Sequence, residues 1–251
     1  MNTSFQDISC GRLRCLLSAL WLTVAAHAQP PDGTVPVQIR AVLHDPVHPA
    51  AELYLTDKSG AAVKVNFVAG GFSEVYSTVV VNGSLTFYNS PKIDPKNPAA
   101  NVAATAKVPA DTMRAMVIVV PAPTDAKPPY RMVLINDSPT AFPKGESRVL
   151  NLVPVEMAIA AGEHKLPVRV GQITPVPPVK KVNEFNIAQT NFHYKNGESW
   201  VVFTERQLQY LDAYRRVFII HTTPGSTEPF VTTILDTAPA ILPPPPPRKV
   251  K

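Results

Sequence analysis

The stretch YSTVVVNGSLTFY, residues 76–88, reads as two alternating apolar runs joined by Asn82-Gly83. Both central positions of a type I′ turn need positive φ, which asparagine and glycine tolerate, so the stretch predicts a tight β-hairpin. Folding the runs together sets Val80 against Leu85, Thr78 against Phe87 and Tyr76 against Asn89 on one face, the expected core face. A second pair, Asn196-Gly197, also stands between alternating runs and predicts a second hairpin.

The same period of two recurs outward from these hairpins. Val35, Val37, Ile39, Ala41 and Leu43 share one face of a half-buried strand, with Gln38, Arg40 and Val42 on the other. Val63, Val65 and Phe67 alternate in the same way, as do His164, Leu166, Val168 and Val170. Met113 to Val120 and Tyr130 to Ile135 are apolar on both faces, as in central strands covered on each side. Turns are expected at 109–112, 142–146 and 223–226, where proline, glycine, aspartate or serine supply the backbone geometry.

With 28 prolines in 251 residues, long helices are disfavoured, because proline lacks the amide donor and clashes with the preceding turn. Only Thr204 to Arg216, where Leu208, Leu211 and Tyr214 recur at threes, offers a turn or two of helix, with a long hairpin loop as the alternative. About a dozen short strands at sandwich-like spacing give an all-β fold class. The polar, proline-rich segment 122–129 separates two β halves, so the expectation is two immunoglobulin-like antiparallel β-sandwich domains, 29–121 and 130–236, with one large sandwich as the alternative. The triplet Gly-Glu-Ser occurs at 145–147 and 197–199, but the flanks differ and no longer repeat is evident.

Residues 1–28 have the pattern of a secretory signal peptide. Arg12 and Arg14 precede the apolar run Cys15 to Ala26, which ends in Ala26-His27-Ala28, a small-residue cleavage site. Cleavage there leaves 223 residues in the periplasm or outside the cell, without Cys10 and Cys15, the only two cysteines. The segment holds Arg12, Arg14 and Asp7, one net positive charge, so the chain's +5 becomes +4. That mild, dispersed charge gives no nucleic-acid footprint, and no later apolar run reaches the roughly 20 residues of a membrane span. Charge concentrates in the tail, 237–251, where Pro243 to Pro247 precede Arg-Lys-Val-Lys and no apolar area is available to bury; a disordered polyproline segment is expected.

No nucleophile elbow, phosphate-binding glycine loop or metal-ligand pattern is present, so no catalytic residue, metal or cofactor is assigned. His44 and His48 flank Asp45 at a spacing that aligns ligands on a helix, not in a strand and turn. Glu163 and His164 point to opposite faces of a strand entry, His221 ends an apolar strand, and one of Arg215 and Arg216 is expected inward, beside a buried carboxylate or at a strand edge. The second hairpin carries the candidate binding face. With 196–197 as its turn, His193 pairs with Trp200, Asn191 with Val202 and Gln189 with Thr204, opposite a core face of Ala188, Thr190 and Phe192.

Trp200, the only tryptophan after the signal, sits there beside the amides of Asn191 and Gln189, a composition suited to stacking on a sugar. The expected role is a non-enzymatic structural or protein-binding module of a cell-envelope assembly. The alternatives are a carbohydrate-binding module using the Trp200/His193 face, and a hydrolase with its site at the seam between the halves. The expected partners are an envelope protein or a glycan, with no nucleic acid.

Overall fold

The computed structural model describes residues 34–237 except 46, 49, 50, 95, 124 and 224; the expected signal peptide and the tail from 238 onward lie outside them. The fold is nearly all β, as its alternating pattern predicts, with one 3-10 turn at Pro98–Asn101 among the described residues. The first half supplies β1 (Thr34–Leu43), β2 (Tyr54–Thr56), β3 (Ala62–Lys64), β4 (Tyr76–Val81), β5 (Ser84–Tyr88), β6 (Val102–Lys107), β7 (Arg114–Pro121) and β8 (Tyr130–Asn136). The second supplies β9 (Ser147–Asn151), β10 (Met157–Ala161), β11 (His164–Val168), β12 (Ile173–Val176), β13 (Ile187–Asn196), β14 (Ser199–Gln209), β15 (Arg215–Thr222) and β16 (Pro229–Asp236).

The halves repeat one topology. In the first, a wall ordered β4-β1-β7-β8 faces a wall ordered β3-β2-β5-β6; in the second, β12-β9-β15-β16 faces β11-β10-β13-β14. Each strand of the first half has its counterpart in the second, β1 with β9 through β8 with β16. The pairing senses agree, including the two parallel pairs, β1 with β7 and β9 with β15, which modify the expected purely antiparallel sheets. The bulge is duplicated as well, between Phe87 and Tyr88 and between Phe192 and His193. The Gly-Glu-Ser triplets fall at strands that are not counterparts, so they did not signal this duplication.

The first hairpin has the expected turn, with Asn82 and Gly83 both at positive φ and Val81 opposite Ser84. Its strands part at once. β4 goes on to pair with β1 and β5 with β6, so Val80 and Leu85 face each other across a sandwich and not along a ladder. The expected core side is right for Tyr76, Thr78, Val80, Leu85 and Phe87, which are all buried, but not for Asn89, which lies past the bulge and the end of β5 and is exposed.

Three apolar layers hold the molecule. One fills the first sandwich, around Ile39, Leu55, Leu85, Phe87 and Val117. Another fills the second, around Val149, Ile159, Phe192, Phe218 and Ile220. The third is a seam between the two β1-type walls, where Val42, Met116, Ile118 and Ile135 meet Leu150, Val217, Ile219 and Ile234. The strand registers make these four the structural counterparts of those four.

The seam corrects several sequence readings. β1 is half-buried only at its start, because Arg40 and Val42 on its second face are covered by the other half. β7 is buried on both faces as expected, whereas β8 closes the sheet as an edge strand and only Ile135 within it is fully buried. Segment 122–129 is the turn of the β7–β8 hairpin, so the change of sheet follows Asn136. Thr204 to Arg216 holds no helix: β14 runs to Gln209 with Phe203, Leu208 and Tyr210 turned to the core, and a turn then leads into β15. The three-residue recurrence there was the coincidence of a strand and the turn after it.

Candidate functional site

Gln189, Asn191, His193 and Trp200 share the outer face of the β13–β14 ladder, with Ala188, Thr190 and Phe192 buried on the other side. Their pairings differ from those read in the sequence. Only Gly197 has positive φ, and Asn196 pairs with Ser199, so Gly197-Glu198 form the turn, with glycine first as in type II′. Trp200 therefore lies opposite Lys195 and His193 opposite Val202. Beyond the bulge, Asn191 faces Glu205 and Gln189 faces Gln207. Glu205 is exposed on this outer face.

This face has a floor as well as a rim. Ala158 lies between His193 and Pro167, and Ala160 between Asn191 and Lys165, so two small side chains form a shallow trough along β10. Gln189 Nε2 donates to Asn191 Oδ1 at 2.6 Å, Lys195 Nζ lies 3.6 Å from Glu156, and Trp200 is 47% exposed.

The β13–β14 ladder also departs from the duplicated plan. Its counterpart β5–β6 ends at Tyr88 and Val102, the positions matching His193 and Val202. Residues 194–201 extend past that point, and Ser199, Trp200, Val201 and Val202 are all exposed. Four successive exposed strand residues mean that neither face is covered. β14 pairs with β13 alone and forms the sheet edge. Farther along, Arg206 closes that edge by donating to Thr233 Oγ1 and Val231 O of β16.

At one end of the seam lies a buried ionic cluster. Asp137 and Asp236 occupy equivalent positions, each opposite the arginine that opens its neighbouring strand, Arg114 and Arg215. Arg40 bridges both carboxylates, 3.3 Å from Asp137 and 2.6 Å from Asp236, and Arg215 does the same at 2.7 and 2.6 Å. Burial pushes the Asp236 carboxyl up, but hydrogen bonds and charge from Arg40 and Arg215 outweigh it and hold the group below the usual carboxylate range. Both arginines at 215 and 216 are buried, against the expectation of one. Arg215 stacks on Phe142, while Arg216 donates to Gln209 O and lies over Tyr210.

At the other end, His44 of the first half meets His221 of the second, edge to face with ring centroids 4.3 Å apart. Asp45 does not join them: its carboxylate accepts from the amides of Val47 and His48 and from the Tyr130 hydroxyl. Burial, then the neighbouring His221, pushes His44 down to about 4. Its Nε2 is sealed from solvent without a partner, whereas the His221 ring is held by Thr232 Oγ1 and Thr222 O. His44 and His221 stand 177 residues apart, and no local pattern in the sequence joins them. Glu163 stands apart from both ends; it accepts from the amides of Lys180 and Lys181, which hold it at about 2, and its Oε1 lies 3.4 Å from His164 Nε2, so these neighbours meet at the turn, against the expectation of opposite faces.

Among the described residues, no group of three or more His, Cys, Asp or Glu is placed to hold a metal ion, and no helix is long and apolar enough to cross a membrane. Comparison with known proteins finds no family model and no curated relative that matches this chain.

Proposed function

We propose that the chain is an exported, non-enzymatic β-sandwich module that holds a partner protein of a cell-envelope assembly on the free edge of β14. The pattern of residues 1–28 supports export. The observation that carries the partnering is the lengthened β13–β14 hairpin, whose outer strand presents Trp200, Val201 and Val202 beside unpaired backbone. Four other edge strands are blunted in ways known to deter pairing: Pro167 and Lys165 in β11, Pro175 in β12, Pro229 in β16, Arg131 in β8. In β14 the bulge and Arg206 close the strand from Phe203 onward, which leaves Ser199–Val202 for a partner strand that is short, uncharged and apolar.

A non-enzymatic role is favoured over hydrolysis at the seam because both seam carboxylates are engaged by arginines, leaving neither free as a base. The test is affinity capture from the native envelope with wild type, Val202→Pro, which removes an N–H that points away from β13, and an exposed control, Val170→Pro. Loss of the same captured protein with Val202→Pro alone supports the reading; equal capture by all three refutes it.

A second reading, glycan binding, is favoured by the alanine-floored trough beside Trp200 and the preformed Gln189–Asn191 amide pair. Its test is a soluble-glycan screen of wild type against Trp200→Ala. Binding that survives the substitution unchanged excludes Trp200 as the platform.

A further inference from the structure

The two-fold repetition of the seam exposes three exchanges at a single place. His44 stands where the second half has Leu152, His221 where the first has Val120, and Arg131 where the second has Phe230. Leu152 and Val120 show that apolar side chains pack at these positions. All three polar exchanges line one cleft of about 470 Å³ between the halves, together with Leu152, Val47 and Ala122. That size lies in the range of small-molecule sites, and the lining combines an apolar wall with a few converging polar groups. Arg131 is exposed and makes no ion pair among the described residues.

We infer that the cleft binds a small organic anion, a carboxylate carried on an aryl or branched-alkyl group. Arg131 supplies the countercharge, suited to a paired hydrogen bond with the carboxylate, while Leu152, Val47 and Ala122 cover the apolar body. The two imidazoles form the remaining polar wall. The ionisable groups facing them are Asp45 beside His44 in the chain, Tyr130 and Arg131 from β8, and each other; Asp45 is already turned to His48 and Tyr130. An anion here compensates a positive charge on the histidine pair that burial now disfavours, so binding takes up a proton. The site is independent of the β14 edge, and its fate does not bear on strand addition.

The experiment is an amide chemical-shift titration of the chain without residues 1–28, using benzoate and isovalerate as probes and benzamide as the neutral control. The expected result is saturable shifts confined to residues around Ala122, Leu152, Thr222 and Thr223 with at least one carboxylate, and none with benzamide. Arg131→Gln, an exposed substitution, should weaken that carboxylate about tenfold or more, the worth of one charge-assisted hydrogen bond. Affinity should also rise severalfold as pH falls from about 7.5 to about 5.5, the range in which histidine gains its proton. No localised shift with either carboxylate, equal binding of benzamide, or an unchanged affinity in Arg131→Gln overturns the inference.

Discussion

The two halves share strand order, pairing sense and even the position of a bulge, yet they finish the equivalent edges at β6 and β14 differently. In the first, β6 packs closely along β8 and is reached through a long connection, 89–101; in the second, β14 meets β16 over a short stretch around Arg206 and its hairpin runs on beyond the sandwich. What is duplicated is what packing demands: two apolar fillings and a seam with apolar side chains in equivalent places. What is not duplicated marks where the chain departs from those demands, in the tip 194–201 and in the His44, His221 and Arg131 cleft. The comparison therefore separates scaffold from candidate site without any motif.

The ionic end of the seam tests the equivalence most severely. Asp137→Ala and Asp236→Ala each leave Arg40 and Arg215 to share one carboxylate, an excess of buried positive charge, and each should cost about 3 to 5 kcal/mol in urea unfolding. Replacing one of them without loss would break the symmetry drawn between them. In the apolar part, Val42→Ala and Leu150→Ala are matched truncations; Leu150→Ala should cost about 2 to 5 kcal/mol and Val42→Ala somewhat less, because fewer buried atoms are removed. A negligible effect of either would show that the seam does not bind the halves together.

The histidine end predicts a pH dependence of a definite sign. His44 is held below its ordinary value of 6.5, by burial first, so the unfolded chain takes up a proton more readily. Stability is then full above that value and declines as pH falls towards about 4, with His221, lowered by burial, acting in the same sense. Restoring the counterparts, His44→Leu with His221→Val, should flatten this part of the curve in thermal unfolding across the range. A slope that persists unaltered would assign the dependence elsewhere. The smallest effect belongs to the hairpin tip: Trp200→Ala and Val202→Lys should change stability by less than about 0.5 kcal/mol, since both residues are exposed. A large loss would mean the tip is packed against something in the intact protein and is not a free edge.

Much of the β architecture was legible because period-two alternation and Asn-Gly turns act locally. Phe87 and Phe192 were both assigned correctly to core faces, and Trp200 to the opposite face from Phe192. The second hairpin slipped by one residue at its turn, since Asn-Gly and Gly-Glu both provide the glycine that a two-residue loop requires, and the bulge at Phe192 leaves no mark in the alternation. The duplication was missed because the second half conserves shape and polarity class rather than letters. One signal was available in the two strands that open with Arg114 and Arg215, pass through a proline-containing turn and end at Asp137 and Asp236.

By itself the sequence determined the all-β class and most of the strands and their inward faces, because each follows from residue chemistry over a few neighbouring positions. Tertiary structure alone decided that two walls lie back to back, that Arg40 and Arg215 share two aspartates, and that His44 meets His221. Those contacts join residues far apart in the chain, and their partners are chosen by which faces the folded sheets bury against one another.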